Sequence, residues 1–165
     1  MRSGRIAARH ELAQHLSALR ADGEIGRVVL ANGCFDILHA GHIRYLEDAR
    51  SRGDFLIVAL NTDQSVRAIK GPGRPLIPLA ERAEVVGALR CVDAVVSFDE
   101  ADLETTLRVL RPDVHAKGSD YTTASVPEAY IDRKLGIEIA ICGDPKDHST
   151  SGLLRRIAGE VRVTR

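Results

Sequence analysis

Apolar residues in this chain gather into short solid runs separated by longer amphipathic stretches. Val28-Val-Leu-Ala31 and Phe55-Leu-Ile-Val-Ala-Leu60 are the densest runs. Such runs fit parallel strands covered on both faces. The pattern predicts strands over 27–31, 54–60, 94–98, 113–116 and 137–141. It predicts helices over 41–52, 65–69, 79–89, 103–110, 127–135 and 153–158. Val85, Val86 and Leu89 form the expected inward face of the third helix in this set, and Asp99 the expected cap of the fourth. Before the first strand, Leu12, Leu16 and Leu19 are spaced four then three, which predicts a lead-in helix within 1–26 whose basic side chains form a solvated face. Strands alternate with helices about five times, the signature of a Rossmann-like doubly wound parallel α/β sheet. The expected organisation is one domain, residues 27–160, with residues 1–26 as its lead-in.

In such sheets ligands bind beyond the carboxyl ends of the strands, where the winding reverses. Polar clusters follow four of the predicted strands: Asn32 to His42, Asn61 to Asp63, Lys117 to Tyr121 and Ser149 to Ser151. The pattern therefore collects them on one edge of the sheet.

Composition narrows the class. The chain has 165 residues, 44% of them apolar, so one domain with a proper core is expected and disorder is not. Lys plus Arg and Asp plus Glu both number 23, which argues against a nucleic-acid or membrane binder. Cys34, Cys91 and Cys142 are scattered and lack zinc-type spacing, which fits reduced thiols. No signal-peptide pattern or membrane span is evident, and a cytoplasmic setting is the expectation.

The chemistry centres on His39-Ala-Gly-His42. Residues three apart share a helix face, and at a helix start both rings would stand beside unsatisfied amides and the positive dipole end. Gly41 removes a Cβ where a ligand approaches the backbone. The alternatives are two cap histidines without a role, or a metal set Asp36, His39 and His42, which lacks a further close ligand. Lys70 and Arg74 flank a Gly/Pro-rich loop suited to closing over a polyphosphate, and Arg82 either joins them or is exposed. The alternative for Lys70 and Arg74 is an ordinary basic surface loop. Lys117-Gly118-Ser119-Asp120 is either a phosphate-side turn or a plain turn with a solvated lysine. Ser149, Thr150 and Ser151 offer hydroxyls at a helix start, as a cap or as phosphate ligands. No Walker-type phosphate loop, post-strand GxGxxG or nucleophile elbow occurs, and Cys34 reads as a packing residue rather than a nucleophile.

These residues carry a resemblance. Asn32-Gly-Cys-Phe-Asp-Ile-Leu-His-Ala-Gly-His42 resembles the signature of the cytidylyltransferase-like nucleotidyltransferases with their HxGH element. Val58 to Asp63, Lys70-Gly71, Arg74-Pro75, Pro78-Leu79, Glu81-Arg82, Val96 to Glu100, Arg111 to Asp113, Lys117 to Tyr121 and Ser149 to Ser151 extend it. Within that superfamily, residues from about 28 to 157 resemble the D-glycero-β-D-manno-heptose 1-phosphate adenylyltransferases, in many bacteria half of a bifunctional kinase/adenylyltransferase. Ser119 departs from the usual second glycine there.

The resemblance implies a nucleotidyltransferase joining the nucleoside monophosphate of ATP to a heptose 1-phosphate. A CTP- or GTP-using transferase of a polyol or sugar phosphate, or a non-catalytic nucleotide-binding module, are the alternatives. It implies His39, His42 and Lys70 as catalytic. It implies Asn32, Gly33, Cys34, Phe35, Gly41, Lys117, Gly118, Asp120, Ser149, Thr150 and Ser151, with His42, around the nucleotide. Asp36, Asn61, Asp63, Arg74 and Arg82 are implied on the acceptor side. Mg²⁺ is expected to arrive on the triphosphate, with no protein metal cage, and a homodimer is expected.

Overall fold

The computed structural model describes residues 6–145 and 150–160. Its elements are α1 (Arg9–Ala21), β1 (Val28–Gly33), α2 (Ala40–Arg50), β2 (Phe55–Asn61), α3 (Asp63–Lys70) and α4 (Leu79–Gly87). They continue with β3 (Ala94–Phe98), α5 (Glu104–Leu110), β4 (Val114–Gly118), α6 (Ala129–Leu135), β5 (Glu138–Cys142) and α7 (Thr150–Glu160). All sheet neighbours are parallel, in the order β3-β2-β1-β4-β5. The winding runs outward from β1 through β2 to β3, then restarts on the other side with β4. The reversal lies between β1 and β4, so their carboxyl ends frame the crevice where such sheets take ligands.

The solid apolar runs have the predicted cause. Along β1, Val29 and Ala31 pack into one core with Leu46, Ala49, Ala83 and Val86. Val28 and Leu30 pack into the other with Leu12, Leu16, Leu107 and Ile131. Successive strand residues point to opposite faces, so a strand covered by helices on both sides must be apolar throughout. α1 belongs to the second core.

Several local expectations need correction. Asn32 and Gly33 are the last residues of β1, paired with Ala59 and Leu60, and not a turn. β4 likewise continues through Lys117 and Gly118, alongside Ile141 and Cys142. Both extensions carry polar residues to the sheet edge under ladder control. Val85 is 50% exposed. The buried face of α4 is Arg82, Ala83, Val86 and Gly87, whose spacing satisfies the helical period with an arginine in an apolar slot. Asp99 accepts from the Thr62 hydroxyl and does not cap α5. The basic face of α1 is only partly solvated: Arg9 reaches Thr106 and Glu100, and Arg20 reaches Asp113, which itself caps the Val28 amide at 2.8 Å. Among the described residues no helix is long and apolar enough to cross a membrane.

Candidate active site

A cavity of about 490 Å³ opens at the carboxyl ends of β1 and β4, a volume in the range of small-molecule sites. Its first wall is the start of α2. His39 takes the N-cap position in extended conformation, and no acidic residue occupies the first turn of α2. The positive helix end is therefore not neutralised by its own sequence. The rings of His39 and His42 stack, 3.9 Å between centroids, and both line the cavity with Gly41. Phe35 supports them: its ring lies 5.0 Å from His42, and its backbone is left-handed, φ 47°. A Cβ on Gly33 would come within 2.9 Å of that ring, which is why this strand end requires glycine. Cys34 is partly buried at the same wall. Burial pushes its thiol up despite the nearby cations Lys70 and Arg82, so it stays protonated at neutral pH and offers no thiolate nucleophile.

The basic loop contributes Lys70 and Arg74 to the same lining. Lys70, the last residue of α3, lines the cavity, is exposed, and makes no hydrogen bond or ion pair among the described residues. Arg74 is fixed instead. Its Nε donates to Asp36 Oδ2 at 2.6 Å, while Asp36 Oδ1 accepts from the Leu76 and Ile77 amides at 2.8 and 2.9 Å. Asp36 is thus committed to folding the loop back over the HxGH turn. That occupies the carboxylate that a metal set with His39 and His42 would need, and the described residues contain no cluster of three metal-ligating side chains.

Arg82 is neither exposed nor in the cavity. It is 1% exposed and donates to the Ile77, Cys34 and Asn61 carbonyls and to Asp63 Oδ1. It ties three loops together from beneath, and Asp63 serves as its counter-ion, also outside the cavity lining. Asn61 does line the cavity, but its side chain is spent on Ser65 Oγ and Cys34 Sγ.

On the far side, Lys117, Gly118 and Asp120 line the cavity with Asn32. Lys117 is buried, not solvated: its ammonium contacts Glu128 at 3.1 Å and Asn32 Oδ1 at 3.3 Å and lies over the Tyr121 ring. A Cβ on Gly118 would meet the Asp120 carboxylate at 2.8 Å. Thr150 opens α7, lines the cavity, and donates to the Ile37 carbonyl at 3.2 Å. Ser149 and the side chain of Ser151 lie outside the described residues.

Sequence reasoning missed Tyr45, whose ring stacks on Phe35 at 6.4 Å and whose hydroxyl donates to the Ala116 carbonyl at 2.8 Å, tying α2 to β4. Its burial pushes the phenol well above its ordinary range. The signal was available: Tyr45 stands three residues beyond His42, on the same face. Gly143 was missed too. It has φ 85°, and a Cβ there would crowd the Tyr45 backbone at 3.1 Å.

A strand-end crevice with a helix N-terminus, two histidines and both exposed and fixed cations suits a polyphosphate. The cytidylyltransferase-like family profile matches residues 30–156, which takes in every element from β1 to most of α7. The chain belongs to the cytidylyltransferase-like family. It is 48% identical over 139 residues to the bifunctional protein HldE of Methylobacillus flagellatus, covering 84% of this chain and 28% of that protein. It is 48% identical over 145 residues to the bifunctional protein HldE of Streptomyces coelicolor, covering 88% and 31%. The chain thus spans under a third of these curated relatives. A solved structure, the lipopolysaccharide core biosynthesis protein of Thermoplasma volcanium, superposes with a TM-score of 0.63 at 28% identity, covering 73% of this chain and 98% of that one.

Proposed function

We propose that this cytidylyltransferase-like chain transfers the adenylyl group of ATP to D-glycero-D-manno-heptose 1-phosphate, releasing pyrophosphate and ADP-heptose. The observation that carries it is the stacked His39–His42 pair at the α2 N-terminus, lining one cavity with Lys70 and Arg74. Similarity to the HldE proteins and to a lipopolysaccharide core biosynthesis protein supports a sugar-nucleotide product.

The chemistry follows from charge. The acceptor phosphate oxygen is already an anion, so no general base is required. It attacks the α-phosphorus in line; the new P–O bond forms as the bond to the bridging oxygen of pyrophosphate breaks, and the electron pair leaves with pyrophosphate. The residues align the two phosphates and neutralise the charge on the α-phosphoryl and leaving oxygens. His39, His42 and the positive N-terminal end of α2 serve that purpose together with Lys70 and Arg74. Asn32 and the Lys117–Gly118 strand end hold the nucleotide. Mg²⁺ would enter as part of the nucleotide substrate and would supply further phosphate neutralisation; this fits a lining rich in cations whose two buried carboxylates, Asp36 and Glu128, are already paired with Arg74 and Lys117. The reading also takes the enzyme as a cytoplasmic homodimer, which sedimentation checks.

The test is pyrophosphate release with each of ATP, CTP and GTP against a panel of heptose 1-phosphates, other sugar 1-phosphates and polyol phosphates. ATP with the heptose phosphate is expected to turn over fastest. Preference for CTP with a polyol phosphate replaces this substrate pair with the other. Absence of pyrophosphate release with every pair removes the transfer reading.

A further inference from the structure

The switch point between β1 and β4 contains a buried polar chain that runs from Asn32 and Lys117 to His115 and Asp132, and the last two have no part in the transfer chemistry. His115 lies on β4 and Asp132 on α6, both fully buried. His115 Nδ1 is 2.9 Å from Asp132 Oδ2, and its Nε2 is 3.3 Å from Asn32 Oδ1. The Lys117 ammonium, itself paired with Glu128, donates to the same Asn32 oxygen at 3.3 Å. Burying this many charged and polar groups is costly unless each is answered, so the arrangement has to be accounted for.

The Lys117 ammonium donates to the Asn32 oxygen, and His115 Nε2 faces the same atom. Lys117 has only donors, so turning the amide over would set its NH₂ against an ammonium. The orientation of Asn32 is therefore determined by its surroundings. With the oxygen drawn inward, Nδ2 makes no hydrogen bond among the described residues, on a residue that lines the cavity. Both nitrogens of His115 face oxygen atoms, Asp132 Oδ2 on one side and Asn32 Oδ1 on the other.

We propose that His115, held by Asp132, is a positioning residue that locks Asn32 as a hydrogen-bond donor to the bound nucleotide. This deepens the nucleotidyltransfer reading and rests on it. Asn32 is the contacting group; His115 acts only through it. An asparagine free to rotate presents its oxygen to an anionic ligand in part of the population and loses affinity by that fraction.

Two buried variants of like size separate this from simple packing. In His115→Gln the terminal amide nitrogen falls where Nε2 stood, so it keeps the Asn32 contact and gives up Asp132. In His115→Asn the amide nitrogen falls where Nδ1 stood, so it keeps Asp132 and gives up Asn32. Nucleotide affinity is read by calorimetry with ATP, CTP and GTP, and folding by thermal melting. His115→Asn is expected to weaken the best-bound nucleotide about tenfold, the size of one directed hydrogen bond, while His115→Gln stays within about twofold of the parent. In an Asn32→Ala background the two His115 variants should bind alike, because the group they position is gone. Equal losses in His115→Gln and His115→Asn, or a difference between them that persists in the Asn32→Ala background, would overturn the positioning role. If the parent binds nucleotide but releases no pyrophosphate, transfer fails and the positioning result still stands. If the parent binds no nucleotide, both fall.

Discussion

Asp36 closes the basic loop onto the HxGH turn through Arg74: the guanidinium Nε and two loop amides converge on one carboxylate that is 2% exposed. The Arg74 side chain is itself mostly buried. Removing one partner of such a pair leaves a buried charge uncompensated, a loss of roughly 3–5 kcal/mol. Asp36→Ala is expected to lower unfolding free energy by that order and to free the loop. Chemical denaturation and transfer rates should fall together. A variant of parental stability with only a raised KM for the acceptor would make Asp36 a substrate ligand instead.

His42 tests the chemistry. Its ring stacks on His39 and lies tilted against Phe35 at the cavity wall, where negative charge develops in the proposed transition state. Loss of one preorganised donor of this type costs roughly 10²–10³-fold in kcat. His42→Ala is expected to show that loss with a much smaller change in KM for nucleotide. Steady-state kinetics decide it: a raised KM at parental kcat assigns His42 to ground-state binding alone.

Lys70 and Arg82 are both cations near the acceptor side, with opposite roles. Lys70 is exposed and makes no bond among the described residues; Arg82 is buried with four acceptors. Lys70→Ala should change stability by no more than about 0.5 kcal/mol and reduce transfer roughly 10²-fold. Arg82→Ala should cost roughly 3–5 kcal/mol of stability, since Asp63 and three carbonyls lose their donor. Denaturation curves beside rates separate the two. A stable, inactive Arg82→Ala protein would place Arg82 in catalysis.

That contrast marks what was legible in the sequence. The sheet was readable because strands buried on both faces leave a solid apolar signature, and the strand-end rule then located the polar clusters. That His39 and His42 share one face at the start of α2 was readable because residues three apart lie on the same side of a helix. The fates of individual charges were not. Arg82, Arg74 and Lys70 are all cations within one stretch, and only the third dimension shows Arg82 beneath the loops and Asp36 turned to Arg74. Val85 was misassigned because the buried stripe of α4, Arg82, Ala83, Val86 and Gly87, includes a residue read as polar and leaves position 85 on the outer face. His115 and Asp132 were visible only as polar interruptions in apolar segments; their convergence on Asn32 depends on β4 lying beside β1, a pairing no local pattern encodes.

Alkaline pH should weaken the fold through Cys142. This thiol at the end of β5 is buried, and burial, then the Asp48 carboxylate, push it from the ordinary 9.0 up to about 11. The folded state thus favours the protonated thiol. In the unfolded chain the thiol ionises near its ordinary value, so its contribution is fully present below about pH 9. It declines as pH rises and is gone once the folded thiol ionises near pH 11. Cys142→Ala removes that proton linkage. The Cys34 and Cys91 thiols, also raised chiefly by burial, keep theirs. Urea midpoints at about pH 8 and about pH 10.5 should therefore fall in both proteins, but less in Cys142→Ala. The same fall in both would mean that Cys142 ionises equally in the folded and unfolded states, and that the Asp48 carboxylate and the burial around β5 do not act on it.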